Sequence, residues 1–288
     1  MSGIRIAHLI NPVKVNEDRD LHFQQPFTFD SMEYAREFAE DYGMEIDHYA
    51  CFYPEDEEII PDGFRKLPVL EQSTEGKFNI DRKLPYFKEM IDKLYEASDA
   101  DYFIQTNADI GLMPHFYHLV MDMIENVESF CINKRIVPEN IRKSGLPAIW
   151  SSIGLSHAGC DCFVFPRKLY PKFDMGEICM GTPWSETVLI TNLVAYSKNF
   201  IVFKNAHATF HLGDRRIWLG HEYNDYRIHN TNEFARVLIE YKRAKKKLRR
   251  KVFNHETIVH QLAKLKMEVH NYSQTGEVYS KDCWDLIS

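Results

Sequence analysis

The chain is poor in what small, scaffolded or fibrous proteins depend on. Its six cysteines, at 51, 131, 160, 162, 179 and 283, never form a C-x-x-C pair. The single C-x-C (Cys160 and Cys162) has no second half, so a zinc site of the usual spacing is excluded. The cysteines read as reduced, mostly buried thiols of a cytosolic protein. No run of about 18 apolar residues occurs, which removes a transmembrane helix. The first fifteen residues hold only a short apolar stretch and no small-residue cleavage site, so they read as a strand, not a signal peptide. Positive charge is also in deficit. With 35 Lys and Arg against 42 Asp and Glu, the net −7 argues against a dedicated nucleic-acid binder.

What is present is globular: 288 residues, 44% hydrophobic and 27% charged, enough to bury a core without disulfides or metal. Strand and helix patterns alternate, the mark of an α/β fold. Ile4–Ile10 reads as a buried first strand closed by Asn11-Pro12. A D-x-x-E box at Asp30 and Glu33 predicts a helix start, with Gly43 ending that helix. Strands are expected at Ile46–Tyr53, Asp101–Thr106, Phe130–Val137, Asp161–Phe165, Phe200–Phe203 and His207–Phe210. Helices are expected after Pro85 and Pro114, over Trp184–Tyr196, and over Asn232–Lys251 and Glu256–Val269. The division expected is one catalytic-type domain at 1–230 and a helical appendage at 231–288.

Four stretches carry residues with chemistry. Asp109 stands two residues past a buried strand, where open α/β sheets bind ligands; it reads either as a metal or phosphate ligand or as a turn residue before the Pro114 helix. In HAGCDCFVFPR (157–167), Gly159 and Asp161 sit at the mouth of a strand and can frame an acceptor or sugar pocket. In MGTPWSETVL (180–189), Gly181 makes a turn before a helix with Glu186 in its first turn. That carboxylate is either a base or an ordinary helix-start charge. In HATFHLGDRRIW (207–218), strand alternation aims His207, Thr209 and His211 one way, with His211 just before Gly213. His115 and His118 share a helix face but have no acidic third ligand nearby, and read as surface or packing.

In this order the four stretches resemble the landmarks of GT-A-type glycosyltransferases, the nucleotide-diphospho-sugar transferase superfamily, over about residues 4–220. The resemblance implies a Rossmann-related mixed sheet flanked by helices, with a C-terminal helical appendage beyond it. It also implies transfer of a sugar from a nucleotide-diphosphate donor to the hydroxyl of a glycan, lipid-linked or small-molecule acceptor, as in polysaccharide biosynthesis. Thr106–Asp109 matches the D-x-D-like element, with Asn107 where the first Asp would stand, so Asp109 is its only carboxylate. On this reading Asp109 and His211 bind Mn²⁺ or Mg²⁺, whose other ligands come from the diphosphate. Glu186 is the base of an inverting transfer and Asp161 the second candidate. Asn11, Pro12, Lys83, Asn107 and Gly181 line the donor.

Two competing readings stand beside it. A nucleotidyltransferase of the same fold would carry a glycine-rich basic loop after the first strand, and NPVKVNEDRD has no glycine. A non-catalytic member binding a sugar nucleotide or a protein is favoured by Asn107. Residues 233–251 hold nine Lys and Arg against two Glu, a local +7. That run reads either as a solvated helix end or as a contact for the anionic inner membrane surface, giving a cytoplasmic protein with a peripheral membrane contact.

Overall fold

The computed structural model describes residues 3–79, 82–214, 220, 223–273 and 279–287. The chain begins β1 (Arg5–Ile10), α1 (Asp20–Glu40), β2 (Glu45–Ala50), β3 (Arg65–Lys66), α2 (Phe87–Ala97), β4 (Tyr102–Thr106), β5 (Gly111–Leu112) and α3 (Phe116–Ile124). There follow β6 (Ser129–Val137), α4 (Gly145–Ser151), β7 (Leu155–Pro166), α5 (Ser185–Tyr196), β8 (Phe200–Phe203) and β9 (Thr209–Leu212). Four helices close it: α6 (Asn224–Arg243), α7 (Lys246–Phe253), α8 (Glu256–Ser273) and α9 (Lys281–Ile287). Residues 1–71, 92–170 and 198–215 form one compact unit, and 72–91, 171–197 and 216–288 a second.

The first unit holds one mixed sheet, ordered β3-β2-β1-β4-β7-β6-β9-β5, with β8 also paired to β6. Strands β2, β1 and β4 run parallel, whereas β7 runs antiparallel to both β4 and β6. The reason lies in the strand sequences. β1 buries five of its six residues, as a parallel strand covered on both faces must. β1 and β4 are in register from Ile6 beside Tyr102 to Leu9 beside Gln105, so Asn11 and Asn107 leave the sheet at one edge. α1 and α3 cover a face through Met32, Ala35, Ala39, Phe116, Tyr117 and Val120, packed on Ile6, Ile10, Ile104 and Ile132. Gly111 admits the close approach of β9: a Cβ there would lie 2.1 Å from the Phe210 ring.

Several expectations need correction. α1 starts at Asp20, ten residues before the Asp30 box, and carries Pro26 inside it. Tertiary hydrogen bonds hold the early turns: Gln24 Nε2 donates to the Leu212 carbonyl, and Gln25 bonds both the N–H and the carbonyl of Val13. Asp30 and Glu33 are therefore mid-helix residues. β7 reaches back to Leu155, because its outer half is exposed and shows no apolar run. His207 lies outside β9 with a φ of +50°, so it does not share a strand face with His211. Cys131 and Cys160 form a disulfide between the neighbouring strands β6 and β7, with Cα atoms 5.9 Å apart; reduced thiols had been expected throughout. Cys51, Cys162, Cys179 and Cys283 are buried thiols outside that disulfide. Residues 215–218, the end of the His207 stretch, lie outside the described residues.

In the second unit α5 packs on α6. Trp184 stacks on Phe234 with ring centroids 5.1 Å apart and donates from Nε1 to Thr231. The expected helix Asn232–Lys251 is two helices. Ala244 turns extended (ψ 167°) where cations crowd, since Lys and Arg one helical turn apart repel. Val252 is buried in α7, and Lys251 Nζ donates to the carbonyls of Ala195 and Ser197. Lys245, Lys246, Lys247, Arg249 and Arg250 stay exposed.

Candidate functional site

β4 ends at Thr106, and the turn that follows, closed by Ile110 N–H on the Asn107 carbonyl, delivers Asp109 to the sheet edge. β9, parallel to β6, brings His211 to the same place from 102 residues away: His211 Nε2 donates to Asp109 Oδ2 at 3.2 Å. His211 Nδ1 donates to the Gly213 carbonyl at 2.7 Å, a turn that Gly213 permits with its φ of +79°. Burial works against charge on both side chains, but their mutual attraction and hydrogen bond prevail. The Asp109 carboxyl is held at about 2, and the His211 imidazole is raised above its ordinary value. Each partner therefore favours the charged form of the other.

A second pair adjoins it. Lys134 Nζ reaches Asp161 Oδ1 at 3.1 Å, with both side chains buried or nearly so. The Lys134 charge acts on Asp109 and on His211 alike, lowering the proton affinity of each. Asp109 Oδ1 and Asp161 Oδ2 are buried and have no hydrogen-bond partner. Beneath the Asp109 turn lies a neutral network. The Tyr117 hydroxyl is 2.8 Å from both His8 Nδ1 and His48 Nε2, and the Thr106 hydroxyl is 2.8 Å from His8 Nε2. Burial pushes the His8 imidazole down to about 3 and the His48 imidazole well below its ordinary value.

The remaining expected residues fall in two groups. Asn11, Pro12 and Asn107 sit where β1 and β4 end, in the same unit as Asp109, Asp161 and His211. Asn11 Nδ2 donates to the Cys51 carbonyl, tying the end of β1 to that of β2. Gly181, Glu186 and Lys83 belong to the second unit. There Gly181 takes a φ of +76° and Glu186 lies in the first turn of α5. The turn between them is clamped by Asn230 of α6, which bonds the N–H and carbonyl of Cys179 and the carbonyl of Pro183. Trp184 caps α5 in the left-handed region, with φ +74°.

Sequence reasoning missed Lys134, Gln24, Gln25 and Asn230. Each acts on a partner far along the chain, and none stands in a recognisable local pattern. His118, set aside as packing, lies among Phe38 and Tyr42, 5.0 and 4.7 Å between ring centroids.

Among the described residues, no three His, Cys, Asp or Glu side chains converge in a metal-holding group. Asp109 and His211 nonetheless suit a divalent cation that draws its other ligands from phosphate and water. Asp109 keeps a buried oxygen without a partner, and the Gly213 carbonyl orients the imidazole as carbonyls do for metal-binding histidines.

No family model and no curated protein matches the sequence. Solved structures do resemble it. Mannosyl-3-phosphoglycerate synthase from Rubrobacter xylanophilus aligns with a TM-score of 0.53 and 9% identity, over 84% of this chain and 77% of that one. Residues 1–349 of S. aureus TarS in complex with UDP align with a TM-score of 0.51 and 8% identity, over 93% and 77%. The same part of TarS in complex with UDP-GlcNAc gives a TM-score of 0.50 and 9% identity, over 93% and 78%. At such identities the likeness is one of fold alone: a mixed sheet flanked by helices, of the GT-A-like kind.

Proposed function

We propose that the chain is a glycosyltransferase that moves a sugar from a nucleotide-diphosphate donor to an acceptor hydroxyl. The observation that carries this reading is the Asp109–His211 pair, closed at 3.2 Å across 102 residues at the edge where β1 and β4 end. Asp109 and His211 would hold Mn²⁺ or Mg²⁺ on the diphosphate. When bound, such a cation stabilises the charge that develops on the leaving nucleotide. Asn11, Pro12 and Asn107 border the nucleotide, and Lys83 and Gly181 contact the donor. Glu186 accepts the proton of the attacking hydroxyl in an inverting transfer, with Asp161 the alternative base.

The exposed cations of α7, within the helical segment 231–288, are assigned to an anionic membrane surface carrying a lipid-linked acceptor. Among the described residues no helix is long and apolar enough to cross a membrane, so such a contact would be peripheral.

Thermal-shift measurement of nucleoside diphosphates with and without Mn²⁺ tests the reading. Stabilisation by one nucleotide that requires Mn²⁺ supports catalysis, since a ligand bound only by the folded state raises its melting temperature. No stabilisation by any nucleotide favours the non-catalytic reading that Asn107 leaves open.

A further inference from the structure

β6 and β7 pair regularly from Phe130 beside Val164 to Ile132 beside Cys162, and then the register slips twice. Asn133 pairs with Cys160, so Asp161 is left as the extra residue of a bulge. Arg135 then pairs with Ser156, so the register passes over Lys134 on one strand and residues 157–159 on the other. Lys134 and Asp161, which the slips take out of the ladder together with residues 157–159, form the buried ion pair, 3.1 Å apart. Bulges re-aim side chains and recur beside active sites. Two anchors keep this one in place: Asn133 Nδ2 donates to the His157 carbonyl at 2.8 Å, and the Cys131–Cys160 disulfide joins the strands beside it.

A buried ion pair that serves only the fold has its remaining lone pairs satisfied, because an unbonded buried carboxylate oxygen is costly. Asp161 does not meet that description: it is 4% exposed, and its Oδ2 has no hydrogen-bond partner. The placement of the cation points the same way: Lys134 Nζ lies 3.1 Å from Asp161 Oδ1, with both side chains buried or nearly so. A divalent cation on Asp109 would meet the ammonium of Lys134 in a poorly solvated site. An incoming diphosphate, by contrast, finds a cation already desolvated and positioned, whose electrostatic pull is stronger than at the surface.

We propose that Lys134 is an anion-binding residue of this site. Its ammonium engages the donor diphosphate directly, and Asp161 is the carboxylate that occupies it until the diphosphate arrives. The inference rests on the nucleotide-sugar reading above and adds to it a route to diphosphate binding that survives removal of the metal.

The test is calorimetric titration of the full chain with inorganic pyrophosphate at low salt, in Mn²⁺ and in EDTA. The parent should retain measurable affinity in EDTA. Lys134→Gln should weaken that residual affinity at least tenfold, and Lys134→Arg should restore most of it. Asp161→Asn should strengthen it severalfold, because the competing carboxylate is gone; opposite signs for the two neutralisations are not expected of a purely structural pair. Circular dichroism of each variant separates lost binding from lost fold. If the parent binds pyrophosphate only with Mn²⁺, the Lys134 inference fails and the nucleotide reading stands. If it binds under neither condition, both fail. Equal affinity of Lys134→Gln and parent in EDTA, or parallel losses in Lys134→Gln and Asp161→Asn, also overturns the inference.

Discussion

Two buried histidine sites of the first unit meet the Thr106–Asp109 segment, and their proton affinities are shifted in opposite directions. His211 faces the carboxylate of Asp109, which raises its affinity for a proton against the pull of burial. His8 and His48 face only the hydroxyls of Thr106 and Tyr117, and burial strips their charge. Burial is common to both, so the partner decides. A carboxylate repays the desolvation of an imidazolium, and a hydroxyl does not. The charged site sits at the sheet edge, where a ligand can reach it, whereas the neutral one lies in the core and holds β1, β2, β4 and α3 together through hydrogen bonds.

The largest effect should come from removing the carboxylate. Asp109→Ala is expected to abolish Mn²⁺-dependent nucleoside-diphosphate binding in calorimetry, and His211→Ala to weaken it about tenfold or more. A histidine at the core site should not imitate this, so His48→Gln is the matched control. Glu186→Gln comes next: turnover should fall roughly a hundredfold while donor affinity is kept, the scale of a lost general base. Unchanged turnover in a sugar-transfer assay would move the role to Asp161 or to a retaining mechanism.

The neutral network is broken by Tyr117→Phe, which strands a buried nitrogen on each of His8 and His48. Urea denaturation should show a loss of about 2 kcal/mol. The same network predicts the acid limb of stability. His8 in the folded state has a proton affinity depressed to about 3, so the unfolded chain binds more protons below the ordinary value of about 6.5. Stability is complete above that value and is lost as the pH falls toward 3, by about 1.4 kcal/mol per pH unit for each such histidine. The His211 contribution has the other sign: raised in the fold, it is fully present below about 6.5 and lost as the pH rises through its folded value. Asp109→Asn should therefore flatten the alkaline limb, leave the histidine part of the acid limb unchanged, and remove the loss below about 3.8 that comes from the depressed Asp109 carboxyl itself.

The smallest effect on the fold belongs to α7. Neutralising Lys245, Lys246, Lys247 and Arg249 should change stability by no more than about 0.5 kcal/mol, since all four are exposed. Co-sedimentation with anionic vesicles should fall, and added salt should reproduce that loss in the parent. A parent that ignores such vesicles at low salt ends the membrane reading.

Local pattern was sufficient wherever a segment's own composition settles its conformation. The apolar runs of β1 and β4 and the prolines before α2 and α3 placed those elements within a few residues. They also placed Asn11, Asn107 and Asp109 at the ends of neighbouring strands, because a strand that stops at a polar turn leaves its next side chains at the sheet edge. Distance along the chain hid the rest. The early turns of α1 depend on Gln24 and Gln25 bonding Leu212 and Val13. The disulfide depends on β6 and β7 being neighbours, and Lys134 meets Asp161 only because the register between those strands slips. Hydrophobic periodicity and turn chemistry are properties of a few consecutive residues, and they determined the longer strands and helices and their order, though not β5, α4, α9, the start of α1 or the break between α6 and α7. Strand register, ion-pair partners and the charge state of each buried histidine depend on residues up to about a hundred positions apart, which only the folded chain brings within the few ångströms over which such forces act.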